Sequence, residues 1–280
     1  MSTISIAECL DAACEAALRA AVVLDDWRKR FSVREKGRAD LVTDADLASQ
    51  KTIHEYLCSR FPDHQFLGEE DLASRDSTSH LTASRERKRP EDAATDDRPT
   101  WIVDPIDGTT NYVHDCPMYC VSIGLQVGGQ LIAGVVYDPR QKEMFSAAQG
   151  MGAWLNDERI QVSACDKLED ALLATGFPPD LRGQERALDW WRHFSLRTRS
   201  LRRTGSTALN LAYVAAGRFD GYWAFDNHVW DVAGGTVLVR EAGGVISDVD
   251  GAAYNPYTPD ALASNARLHP ILLKALAEGP

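Results

Sequence analysis

The sequence predicts an α+β first half that runs into an α/β second half. Three observations carry this: helical periodicity over the first sixty residues, short β-branched and aromatic runs from His64 to Ala147, and alternation of strand-like with helix-like runs after Asp166. The division falls near residue 165, so 1–165 and 166–280 are expected as the two units.

Ile6, Leu10, Ala13, Ala17, Leu18, Ala21 and Leu24 recur at helical spacing with charges between them, which predicts an amphipathic helix packed on a sheet. Asp44 to Phe61 predicts a second helix, with acidic residues in its first turn and Pro62 just beyond its end. The period then changes. His64–Gly68, Thr100–Val103, Tyr119–Val127, Leu131–Tyr137 and Met144–Ala147 predict strands, and Gly128-Gly129 a hairpin turn, so this sheet is expected to be largely antiparallel. In the second half Leu172–Gly176, Phe219–Ala224 and Gly244–Ser247 read as strands, and Glu185–Leu196, Thr207–Gly217 and Asp231–Ala242 as helices.

Composition narrows the function classes. Lys plus Arg number 30 against 41 Asp plus Glu, a net charge of −11, and such a surface repels phosphate backbones and anionic lipid. Nucleic acid is therefore not expected as a partner, nor is a membrane, since no run reaches the roughly 18 apolar residues of a span. The opening residues carry Glu8, Asp11 and Glu15 and no early basic residue, unlike a signal peptide, so a cytoplasmic location is expected. The six cysteines contain no Cys-x-x-Cys and read as buried thiols. Asp71 to Pro99 has 13 charged residues in 29 and is expected as a solvated loop or a flap over a site, its basic run Arg85–Arg89 included.

Carboxylates gather where predicted strands end. Gly68-Glu69-Glu70 follows one strand, and Asp104-Pro-Ile-Asp107 follows the apolar run Trp101–Val103 with nothing basic within the stretch. If these groups meet, their repulsion must be relieved by raised pKa values or by bound cations, and oxygen ligands without His or Cys suit Mg2+. Gly108-Thr109-Thr110-Asn111 comes next, and a glycine followed by hydroxyl residues at a helical turn offers free amides to a phosphate. Trp230-Asp231-Val-Ala-Gly-Gly opens another helix, where Gly234 and Gly235 point to close packing or ligand approach. No Ser-His-Asp or Cys-His arrangement offers a rival nucleophile.

Asp40-Leu-Val-Thr-Asp-Ala-Asp46, Gly68-Glu-Glu70, Asp104-Pro-Ile-Asp-Gly-Thr-Thr-Asn111, Arg203-Thr-Gly-Ser-Thr-Ala208 and Trp230-Asp-Val-Ala-Gly-Gly235 follow one another in an order that resembles the inositol monophosphatase family, within the lithium-sensitive, magnesium-dependent phosphatases. The resemblance implies a five-layered αβαβα sandwich, a homodimer, and a phosphomonoesterase using two or three Mg2+ ions to release phosphate from a small phosphorylated metabolite. By matching position it implies Glu69, Asp104, Asp107, Asp231 and the Ile106 carbonyl as metal ligands. Thr109, supported by Asp46, would hold the attacking water together with Glu69. Gly108 and Thr109 would bind phosphate through their amides, and Asp107, Ser206, Thr207, Ala208 and Asp231 would line the substrate. Inositol 1-phosphate is the first expected substrate, with histidinol phosphate and fructose 1,6-bisphosphate as alternatives, and an RNA- or transcription-associated binding role as the alternative of a different class. One departure bears on the substrate: where inositol-cleaving relatives carry a glutamate, this chain has Ala224, with Asp226 two residues on.

Overall fold

A reciprocal cap starts the first helix: the Ser5 hydroxyl accepts the Glu8 amide at 3.1 Å, and the Glu8 carboxylate accepts the Ser5 amide at 2.9 Å. The chain is described by a computed structural model covering residues 5–37, 40–73, 98–177, 180–182 and 185–280. Within it, α1 (Ile6–Trp27) buries Leu10, Ala13, Ala17, Ala21 and Leu24 of the predicted stripe, whereas Leu18, next to Ala17 on the helix, turns off that face and is exposed. It packs beside α2 (Asp44–Arg60), and a β1–β2 hairpin (Val33–Gly37, Asp40–Thr43) leads from one to the other.

Under these helices lies a seven-stranded sheet in the order β3-β4-β5-β6-β7-β8-β9, built from Gln65–Gly68, Thr100–Asp107, Cys120–Val127, Gln130–Asp138, Glu143–Ala148, Gly152–Leu155 and Glu158–Ile160. The β3–β4 pair is parallel and the rest antiparallel, as the short connections require. Alternation along β4 sorts its side chains: Trp101 and Val103 join the core beneath α1 and α2, and Ile102 joins the core on the other face.

That second face is covered by α6 (Thr207–Ala215) and α7 (Val229–Glu241), the middle layer of the molecule. A Cβ on Gly124 of β5 would stand 2.6 Å from the Ala233 methyl of α7, so a bare backbone is needed there for helix and sheet to touch. The small residues after Asp231 thus serve close packing. Beyond the two helices lies a five-stranded sheet, β11-β10-β12-β14-β13, formed by Ser200–Arg202, Leu172–Thr175, Gly221–Ala224, Ala261–Asn265 and Gly244–Ser247. Helices α5 (Glu185–Ser195) and α8 (His269–Glu278) close the fifth layer, with Trp190 and Trp223 buried between them and the sheet.

The αβαβα order agrees with the expected sandwich. Several elements lie outside the runs read from the sequence: the β1–β2 hairpin, β8, β9, β11 and β14 are short, and the ten-residue α8 buries Leu272, Ala275 and Leu276. The second sheet is also not purely parallel, because β14 runs antiparallel to β12 and β13. Among the cysteines only Cys9 and Cys120 are buried; Cys14, Cys58, Cys116 and Cys165 are half-buried. The expected flap lies, from residue 74 to 97 and with the basic run Arg85–Arg89, outside the described residues. Among the described residues no helix is long and apolar enough to cross a membrane.

Candidate active site

A β-bulge builds the centre of the site. Asp104 pairs with Ser122 and Asp107 with Cys120, so three steps along β4 match two along β5. In an unbroken strand residues three apart point to opposite faces; the extra residue restores both aspartates to the face toward α6 and α7 and sends Ile106 to the α1 core instead. Asp104 and Asp107 are both buried, with relative exposures of 3% and 7%.

Glu69 reaches the same place from the adjacent strand end. Its amide donates to the Val103 carbonyl at 3.1 Å, which extends the β3–β4 pairing to the turn that opens the short α3 (Glu70–Ala73). Asp231 arrives from the first turn of α7, where its Oδ2 accepts the His228 amide at 2.8 Å. Burial first, then the negative fields of Glu69, Asp107 and Asp231, together with a hydrogen bond to Glu69, push the Asp104 carboxyl well above the usual carboxylate range. Glu69, Asp107 and Asp231, the other three acids named from sequence, are therefore each within electrostatic reach of Asp104. Among the described residues no three His, Cys, Asp or Glu side chains are packed as closely as a formed ion cage.

Asp107 is held differently. Its Oδ2 accepts the Ser206 hydroxyl and the Ala208 amide, each at 2.6 Å, while Oδ1 accepts the Thr207 amide at 3.2 Å. The carboxylate thereby sits on the amino end of α6, where amide donors and the helix dipole favour negative charge. Burial nevertheless wins, and the Asp107 carboxyl is pushed up to about 6, with those three bonds pulling down and Glu69 pushing up. The polar groups of Ser206, Thr207 and Ala208 that point at Asp107 are thus engaged within the protein.

On the other side of the bulge stands a polar stripe of α2. Asp46, Ser49 and Gln50 share one helical face and are buried, although none is apolar. The Thr43 amide and hydroxyl hold Asp46 Oδ2 at 2.8 and 2.6 Å, and Asp46 Oδ1 stands 3.1 Å from the Thr109 hydroxyl. That hydroxyl is also 3.1 Å from the Ile106 carbonyl. Ser49 donates to the Pro105 carbonyl at 3.1 Å, and the Gln50 carbonyl accepts the Glu70 amide at 3.0 Å. One helix face therefore steadies Thr109, the bulge and the Glu69-Glu70 turn.

Gly108 makes the turn between β4 and α4 (Thr109–Val113) with a φ of 102°, and a Cβ there would stand 2.9 Å from the Met118 carbonyl. Asn111 then ties the halves of the chain, its amide donating to Met118 and Thr204 carbonyls at 2.6 and 2.9 Å. Ala224 is buried and Asp226 is exposed with a left-handed φ of 71°. Sequence reasoning passes over Ser49, Gln50, Tyr222 and Asn227; the signal for the first two is a polar i, i+3, i+4 face with Asp46 on an otherwise weakly apolar helix.

The Inositol monophosphatase family's sequence profile matches residues 5–279. Inositol monophosphatase 3 of Solanum lycopersicum is 41% identical over 278 residues, covering 98% of each chain. Inositol-1-monophosphatase of Synechocystis is 40% identical over 274 residues, 97% of this chain and 89% of that one. Among solved structures, the extragenic suppressor protein suhB from Bartonella henselae matches with a TM-score of 0.85 and 37% identity, covering 97% of this chain and 99% of that chain. With its acidic motifs in order and this likeness along nearly its full length, the chain belongs to the inositol monophosphatase family of metal-dependent phosphoric monoester hydrolases.

Proposed function

We propose that the chain hydrolyses a small polyol or sugar-like phosphomonoester in a Mg2+-dependent reaction, with inositol 1-phosphate as the first substrate. The observation that carries this is the convergence of Glu69, Asp104, Asp107 and Asp231 beside the Gly108–Thr109 turn. Among the described residues the charged groups that act most strongly on Asp104 are carboxylates, and their oxygen donors suit a hard divalent cation. Glu69, Asp104, Asp107, Asp231 and the Ile106 carbonyl would hold two or three such ions; that carbonyl keeps a second acceptor position beyond the one facing Thr109. Bound there, Mg2+ supplies charge screening for the phosphate, a lowered pKa for water and stabilisation of the departing alkoxide.

The chain's own residues do the positioning. Thr43 holds Asp46 so that Asp46 Oδ1 takes the Thr109 proton, which leaves the Thr109 oxygen free to accept from a water. Glu69 is the second acceptor for that water, and with both protons directed its lone pair faces the phosphorus. The Gly108 and Thr109 amides donate to the non-bridging phosphate oxygens. Ser206, Thr207, Ala208 and Asp231 form the substrate wall, the first three shaping it rather than offering donors, since Asp107 engages the Ser206 hydroxyl and the Thr207 and Ala208 amides and Tyr222 lies against the Thr207 hydroxyl.

The buried methyl of Ala224 offers no hydrogen bond to a sugar hydroxyl, and a site without that contact discriminates polyols weakly. The deciding experiment measures phosphate release with Mg2+ and with EDTA from inositol 1-phosphate, histidinol phosphate and fructose 1,6-bisphosphate, ranked by kcat/KM. Turnover of inositol 1-phosphate that EDTA abolishes is expected, as is inhibition by tens of millimolar Li+. No Mg2+-dependent release from any phosphomonoester would end the proposal. Homodimeric assembly belongs to the same proposal and is checked by sedimentation.

A further inference from the structure

Tyr222 is fully buried at the edge of the site, and its hydroxyl takes part in nothing described above. It stands 3.1 Å from Thr207 Oγ1 and 3.1 Å from Asn227 Oδ1. What Asn227 does next sets the direction of these bonds. Its side-chain amide donates to the Pro259 carbonyl at 2.8 Å, and a carbonyl only accepts, so Oδ1 is the atom facing Tyr222 and Tyr222 is the donor. The Tyr222 oxygen then accepts from the Thr207 hydroxyl.

Each end of this chain meets a carboxylate. The Thr207 amide donates to Asp107 Oδ1 at 3.2 Å. Asn227 shares its peptide unit with the His228 amide, which donates to Asp231 Oδ2 at 2.8 Å, and the Asn227 amide is itself anchored on Pro259 at 2.7 Å. A path of hydrogen bonds and one peptide unit thus runs from Asp107 through Thr207, Tyr222 and Asn227 to Asp231. These two acids come from a β4 bulge and an α7 first turn, elements with no covalent reason to keep a fixed spacing.

We propose that the Tyr222 hydroxyl is a positioning group that sets Asp107 and Asp231 relative to each other, by tying the start of α6 to the turn before α7, so that both face one cation-binding space. This rests on the metal-dependent reading of the site. A hydroxyl that only stabilises the fold would alter melting and leave ion affinity untouched; a positioning hydroxyl alters ion affinity in the folded protein.

Tyr222→Phe keeps the buried ring and removes the hydrogen bonds; Asn227→Ala cuts the same chain from its half-buried end and decides the matter if the first variant does not fold. Mn2+ binding to each full-length protein is followed by electron paramagnetic resonance, beside the Mg2+ dependence of phosphate release and melting in EDTA. Both single variants are expected to weaken Mn2+ binding and raise half-saturating Mg2+ about tenfold, with kcat at saturating Mg2+ within about threefold of wild type. The double variant is expected to be no worse than the weaker single one, because both cut one chain. Wild-type Mn2+ affinity in folded variants, or additive losses, overturns the proposal while the phosphatase reading stands; a wild-type protein that binds no Mn2+ overturns both.

Discussion

The Ser49 hydroxyl of α2 donates to the carbonyl of Pro105, 3.1 Å away, at the bulge that turns Asp104 and Asp107 to one face of the sheet. Proline has no amide to offer a ladder, so a bulge is where β4 tolerates it, and Ser49 satisfies the carbonyl that the bulge leaves unpaired. Ser49→Ala would leave that buried carbonyl without its donor. The expected cost is about 1–2 kcal/mol by chemical denaturation, with kcat lowered further than that loss of folded fraction explains. Wild-type kcat in the variant would show that the bulge holds its shape without α2.

Asp104→Asn removes one negative charge from a crowded, desolvated cluster. Melting in EDTA is expected to be no lower than wild type, because the substitution relieves repulsion. Phosphate release should fall about 10²-fold or more, since a bound metal contributes several kcal/mol at the transition state and each 1.4 kcal/mol is about tenfold. A strong loss of apo stability would instead make Asp104 a structural acid.

The same cluster dictates a pH dependence. Asp107 is raised from 3.8 to about 6 and Asp104 is raised as well, so the folded apo protein binds protons that the unfolded chain releases. Their stabilising contribution is fully present below about pH 4 and is lost as pH rises through about 6, the reverse of an ion-paired carboxylate. Calorimetry in EDTA should show this as wild-type stability rising relative to Asp107→Asn as pH falls from about 7 to about 4. Mg2+ competes with those protons, so its stabilising increment should be larger at pH 7.5 than at pH 5. An equal increment at both pH values would count against ions binding at these carboxylates.

Gly108→Ala places a methyl 2.9 Å from the Met118 carbonyl on a backbone with φ of 102°. About 1–2 kcal/mol of stability should be lost, and Thr109 displaced from Asp46, with phosphate release reduced more than tenfold. A stable, fully active Gly108→Ala protein would mean that the turn has another conformation open to it.

What the sequence determined by itself is local. The apolar run Trp101–Val103 followed by Asp104-Pro-Ile-Asp107-Gly108 already reads as a strand delivering acids to a turn, and Trp230-Asp231 as a helix start, because periodicity and turn chemistry act over a few residues. The five motifs in order carried the fold and family expectations, and the architecture agrees with them. Tertiary structure alone decided the rest. Strict alternation would have put Asp104 and Asp107 on opposite faces of β4, and only pairing against Ser122 and Cys120 reveals the extra residue that reunites them. Asp46, Ser49 and Gln50 look like a solvated helix face until α2 docks on β4 and buries them. Tyr222 reads as a core aromatic until Thr207 and Asn227 close on its hydroxyl. In each case the deciding partner is distant in sequence, and a side chain's chemistry is set by the neighbours that folding brings to it.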